Sequence, residues 1–148
     1  VVNRIIVAEQ LFEHGRMFYL QPNGQIWVMI ENGDLNSGPW EVYQDTWSES
    51  LPESDPAFDP PTEDLYQPLR GFGKLWREND ALREALGYAT EEEVGHVTQY
   101  QYFAGGTVDA SGTFIPGPSV QTLNSHYGGT YIFAEETMTW GLAAVTSN

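Results

Sequence analysis

Gln10-Leu11-Phe12-Glu13-His14-Gly15-Arg16-Met17 returns in altered form as Gln101-Tyr102-Phe103-Ala104-Gly105-Gly106-Thr107-Val108. The glutamine, the phenylalanine and one glycine coincide at a constant offset of 91 residues. Each copy leads into a Gly-headed apolar run, Gly24-Gln25-Ile26-Trp27-Val28 and Gly129-Thr130-Tyr131-Ile132-Phe133. Self-similarity is read before anything else, because copies of one supersecondary unit fix the architecture. The resulting fold class is α+β, mainly β: two related antiparallel β-meander units joined by a Pro-rich acidic connector and a short helical segment. The units span residues 1–48 and 69–148, with the connector at 49–68.

Working outward, Arg4 to Met17 reads as strand, glycine turn, strand, with Ile5, Ile6 and Val7 as β-formers and His14-Gly15 at the reversal. Pro22-Asn23-Gly24 supplies a second turn, since proline presets φ and Asn-Gly tolerates positive φ. Gln25 to Glu31 is apolar on both faces, which predicts a strand covered on both sides. Asn32-Gly33-Asp34 through Gly38-Pro39 reads as loop and Trp40 to Tyr43 as a fourth strand. Glu49 to Pro68 holds five of the nine prolines and six acidic residues without a basic one, so it forms neither helix nor central strand. It is expected to be an extended connector touching the body through Leu51, Phe58, Leu65 and Tyr66. Leu69 to Leu86 carries Leu75, Leu82 and Leu86 on one stripe with Trp76 beside it. Asn79-Asp80 is an N-cap pair in its middle and Gly87 a natural stop, which predicts two short helices or one with a kink. The second meander follows over 97–142. Its stretch Ala110 to Gly128 makes the signature-to-strand distance 14 residues longer than in the first copy. A long uncharged loop of this kind is a candidate contact surface.

The net charge of −15, from six basic and 21 acidic residues, argues against nucleic acid and anionic lipid as partners. No apolar run is long enough for a membrane helix, so no membrane insertion is expected. With no cysteine, disulfides, thiol chemistry and Cys-ligated zinc are out. A chain opening at Val1 is expected to be either a processed product, with which a removed signal peptide would be consistent, or a sequence whose start is not shown.

Chemistry-bearing motifs are sparse. His14, His96 and His126 lack the close helical spacing of a metal motif, and no cofactor or metal is expected. A calcium site from Asp55, Asp59, Glu63 and Asp64 is the one cation alternative, though the spacing matches no EF-hand loop. No Gly-x-Ser-x-Gly elbow is present. Gly71-Phe72-Gly73-Lys74 lacks the spacing of a phosphate loop. Carboxylate hydrolysis is the least supported reading, with Glu13 and Glu41 first to test. The aromatics, among them Trp27, Trp40, Trp47, Trp76, Trp140, Tyr19, Tyr43, Tyr100 and Tyr102, divide between core and a sugar-stacking platform.

Leu86-Gly87-Tyr88-Ala89-Thr90, followed by Glu93 and then Gln101-Tyr102-Phe103-Ala104-Gly105-Gly106, resembles the LGFP-type repeat of bacterial cell-surface proteins. In that repeat a short helix ends in a Leu-Gly-x-x-Thr turn, and a Phe-x-x-Gly hairpin, a strand and a closing tryptophan follow. Phe12 to Met17, Ile26 to Ile30 and Trp40 fit the hairpin half. Gly71 to Glu78 with Leu86-Gly87 resembles the helical block of repeat regions in secreted bacterial proteins. Leu-Gly-Tyr-Ala in place of Leu-Gly-x-Pro, the insertion at Ala110 to Gly128, and a first unit with no helix before it depart from the pattern. The resemblance implies an extracellular or cell-surface, non-catalytic module.

The functional expectation is a structural subunit of an extracellular or cell-surface assembly, such as a filament, whose partners are copies of itself. The alternative is a cell-wall or glycan-binding module using exposed aromatics. Phe114, Ile115, His126, Tyr127, Trp27, Trp40 and Tyr102 are the candidate assembly or ligand contacts. A first unit without its own helix is expected to leave an apolar face open to a neighbouring copy.

Overall fold

Side chains alternate between the two faces of a strand, and in this chain the alternation sorts them into two separate cores. The computed structural model describes residues 2–33 and 36–143. Asp34, within the expected loop, and the extreme ends of the two expected units lie outside the described residues. Strands β1 (Val2–Phe12), β2 (Gly15–Leu20), β3 (Gln25–Ile30) and β4 (Ser37–Gln44) form the first antiparallel meander. The helices α1 (Arg70–Glu78) and α2 (Asp80–Leu86) follow. Then come β5 (Val94–Phe103), β6 (Gly106–Val108), β7 (Phe114–Pro116), β8 (Val120–Asn124), β9 (Thr130–Ala134) and β10 (Thr139–Leu142).

The mainly-β expectation holds, but the two meanders are not two units. They close into one eight-stranded antiparallel barrel, ordered β1-β2-β3-β4-β10-β9-β8-β5, while β6 and β7 form a separate two-stranded ribbon. β5, β8, β9 and β10 repeat the roles of β1 to β4. The seams join equivalent strands, β1 to β5 and β4 to β10. At the first seam Ile6 stands opposite Val97, the same 91-residue offset that relates the two signatures. Closure leaves no free sheet edge on the barrel, and an eight-stranded barrel is just wide enough for side chains to fill.

The interior is filled by Val7, Phe18, Leu20, Trp27, Met29, Trp40, Leu123, Tyr131, Phe133 and Trp140. Pairing Met29 with Trp40 and Phe133 with Trp140 makes Trp27 the equivalent of Tyr131 and Met29 that of Phe133. The match of Gly24 to Gly129 is therefore one residue out of step, and a one-residue slip exchanges the two faces of a strand.

The second core lies outside the barrel wall. Phe12, Met17, Ile26 and Val28 pack under Phe72, Trp76, Leu82, Leu86 and Ala89. This is why β3 is apolar on both faces. It also corrects the expectation of an open acceptor face: the helical segment, which follows the connector in sequence, covers the first half of the same barrel. On the second half the equivalents of Ile26, Val28 and Ile30 are Thr130, Ile132 and Ala134, a more polar face. The helix break is built as expected, with the Asn79 side chain accepting from the Leu82 N–H at 3.1 Å and Gly87 at φ +74°. In the connector, Phe58 packs edge-on against Trp76 at 5.6 Å and Tyr66 bridges to Ala89. Leu51 is exposed.

The signature glycines stand where a side chain has no room. A Cβ on Gly15 would stand 2.1 Å from the Met29 carbonyl oxygen, and one on Gly106 2.3 Å from the Phe114 ring.

Tyr43, at the seam between β4 and the helices, donates its hydroxyl to Glu41. Burial, with the Glu41 hydrogen bond and charge adding to it, pushes this phenol up to about 12. The ordinary value is about 10, so the folded state favours the neutral phenol. The stabilisation is complete below pH about 10 and is lost as pH climbs toward about 12. Urea unfolding at stepped pH should show wild-type stability falling across that window. Tyr43→Phe should fall less steeply; identical slopes would remove Tyr43 as the cause.

Candidate functional site

At the end of the barrel formed by the β1–β2 and β8–β9 turns, the inward-facing residues become polar. Glu9 follows Ile5 and Val7 on the core face of β1 and is fully buried. Its Oε2 accepts from Arg16 Nη1 at 2.5 Å and from the Ser125 hydroxyl at 2.6 Å. Its Oε1 accepts from the His126 backbone N–H at 2.8 Å and lies 3.0 Å from His96 Nε2. Arg16 also donates to Ser125 Oγ at 2.8 Å and stacks over the Tyr131 ring at 4.7 Å. Burial raises the Tyr131 phenol, with the Arg16 charge opposing. A buried carboxylate persists only when paired and hydrogen-bonded, and here both oxygens are engaged. The groups come from both halves, β1 and β2 on one side and β5 with the β8–β9 turn on the other, so the cluster is a latch across the barrel end. The space beside Arg16, Tyr131 and Trp140 is about 20 Å³, room for roughly one water and not for a substrate.

The opposite end carries the β6–β7 ribbon. The stretch Ala110 to Gly128, expected as one projecting loop, is three things: the return strand of this ribbon, the wall strand β8, and the β8–β9 turn. The ribbon is an arm with a built tip. Asp109 Oδ1 accepts from the Ser111 N–H at 2.9 Å and the Thr113 N–H at 3.0 Å, and Gly112 takes φ +85°. At its base the Gly117 N–H donates to the Gly105 carbonyl at 2.8 Å, and a Cβ on Gly105 would stand 1.6 Å from the Pro118 oxygen. On and beside this base Tyr102, Phe103, Val108, Phe114 and Ile115 are 44–66% exposed. Large apolar side chains grouped at the surface mark interaction sites.

The candidate contacts therefore separate. Phe114, Ile115 and Tyr102 share the arm end, where the Tyr102 hydroxyl donates to Ser119 at 2.7 Å. His126 and Tyr127 are exposed at the latch end, their rings edge to face at 5.0 Å. Trp27 and Trp40, 2% and 3% exposed, lie inside the barrel 5.0 Å apart and against Phe133. They are core, and no surface ligand reaches them. Glu13 accepts from the Tyr88 N–H at 2.9 Å and holds the turn after α2, and Glu41 serves Tyr43.

The His96 and His126 rings lie 5.4 Å apart, tilted at 48°, while His14 lies in the β1–β2 turn. Among the described residues no group of three or more His, Asp or Glu is arranged to hold a cation. Asp55 caps the short helical turn at Pro56–Phe58, and Asp64 accepts from Thr62.

The latch was readable in one respect, an acid in the inward register of Ile5 and Val7. The arm's Phe103 and Val108 carried no separate signal. No protein-family model, curated protein or solved structure matches the chain.

Proposed function

We propose that this chain is a non-catalytic structural module that associates with copies of itself through the β6–β7 arm, as a subunit of an extracellular or cell-surface assembly. The observation that carries this reading is the arm: an exposed apolar ribbon on a base of closely packed glycines. Its setting favours a second copy as partner. From Val94 to Ala134 the only formally charged residue is Asp109, one of the chain's 21 acidic residues. Two copies that each carry −15 repel, and contact through this stretch brings the fewest carboxylates together. The ribbon also has free strand edges, which pair readily with another strand. The extracellular setting rests on the resemblance to the surface repeat. The glycan-binding alternative loses Trp27 and Trp40 to the core, and its exposed aromatics are divided between the arm end, with Tyr102, Phe103 and Phe114, and the latch end, with Tyr127.

Light scattering coupled to size exclusion, across concentration, tests this. The wild type should show reversible self-association. Phe114→Ser with Ile115→Ser should weaken it at least about tenfold, as loss of central apolar contacts does, with an unchanged melting temperature. A wild type that stays monomeric throughout removes the reading.

A further inference from the structure

Where the helical layer meets the barrel, a groove of about 380 Å³ opens between β2, β3, the chain after β4 and the start of α1. It lies within the size range of small-molecule sites, roughly 300–1,000 Å³. Tyr19, Ile26 and Phe72 form an apolar floor and Trp47 stands on its wall. The Trp47 backbone is pinned to the Asp45 Oδ1 at 2.9 Å, and its indole donates to the Pro52 carbonyl at 3.1 Å. Trp47 is also the one tryptophan of the five that is not buried.

The charged groups around this floor do not balance. Asp45, Glu49 and Glu93 line the groove, and Arg70 is the only basic residue lining it. Arg70 is already engaged, with Glu93 at 3.3 Å and Glu53 at 3.8 Å. Lys74, lining an adjacent recess, is paired with Glu78 at 2.9 Å. Asp45 and Glu49 have no ion-pair partner among the described residues. Arg70 itself holds φ +53°, a left-handed conformation that costs a non-glycine residue energy. Gly71 leaves Asp45 room: a Cβ there would stand 2.7 Å from both Asp45 oxygens.

We propose that this groove binds an organic ammonium ion, a small diamine whose apolar stem ends in a primary amine. The stem lies over Tyr19, Ile26 and Phe72. The ammonium meets the unpaired carboxylates of Asp45 and Glu49 and the face of Trp47, an aromatic suited to cation–π contact. The site is separate from the arm and does not depend on self-association.

Cadaverine is the probe, with 1,5-pentanediol as its uncharged counterpart and tetra-N-acetylchitotetraose as a glycan control. Cadaverine should change tryptophan fluorescence saturably, and the change should weaken with added salt. Asp45→Asn and Glu49→Gln should each weaken binding about tenfold, or about 1.4 kcal/mol, with melting curves confirming the fold. Trp47→Phe should abolish the fluorescence change while calorimetry still detects binding. Equal binding of the diol, selective binding of the glycan, or no saturable response to cadaverine would each overturn the proposal.

Discussion

Glu9→Gln is expected to destabilise the protein by about 3–5 kcal/mol, the loss seen when one partner of a buried ion pair is removed. The carboxamide keeps the shape of the side chain but replaces one acceptor oxygen with a donor. That NH₂ would face either the Arg16 guanidinium and the Ser125 hydroxyl or the His126 N–H and His96. Arg16, only slightly exposed, would lose its counter-charge. Against a total stability of about 5–15 kcal/mol, the variant should unfold at markedly lower urea. Arg16→Met should be costly by the same logic, leaving Glu9 charged and short of a donor. The double variant should cost less than the sum of the two by about 0.5–3 kcal/mol, the range for residues in one network. If Glu9→Gln melts within a degree or two of the wild type, the carboxylate does not latch the halves.

The duplicated signature is visible in the sequence because like side chains recur at a fixed offset, and one pair at that offset, Ile6 and Val97, stands face to face across a barrel seam. The first meander was legible because its first two turns have local chemistry, at Gly15 and at Pro22-Asn23-Gly24, and the helix break because Asn79 is a cap; the start of β4 was not, since Gly38-Pro39 reads as loop and lies in the strand. What escaped the sequence is non-local. The pairing of β1 with β5 is a contact between segments some ninety residues apart, and no local pattern announces it. The stripe of Leu75, Leu82 and Leu86, with Trp76 beside it, says that the helices bury a face, not which half they bury it against. β8 lies between Gly117-Pro118 and Gly128-Gly129, punctuation that reads as loop. It is a wall strand because Leu123 faces the barrel interior.

Because the helices cover the wall of the first half, folding and assembly depend on different surfaces. Trp76→Ala is expected to cost about 3–5 kcal/mol, as for a fully buried tryptophan. The indole fills the space between barrel wall and connector, packing on Phe58 and on Tyr88 at 5.1 Å, with the Arg83 guanidinium 5.8 Å over its ring. Its N–H closes the helix end by donating to the Gly87 carbonyl at 2.8 Å. Truncation leaves a cavity and an unpaired carbonyl, and it loosens the layer over Met17, Ile26 and Val28. The barrel interior does not touch Trp76, so damage should begin in the layer. Hydrogen exchange should accelerate first at residues 70–89 and later at β9 and β10. The uncovered wall is apolar, so the variant should also aggregate by a route that Phe114→Ser with Ile115→Ser does not suppress. Aggregation that this arm substitution does abolish would mean the exposed wall is not the sticking surface. Uniform acceleration of exchange across barrel and helices would instead show that the two cores unfold as one unit.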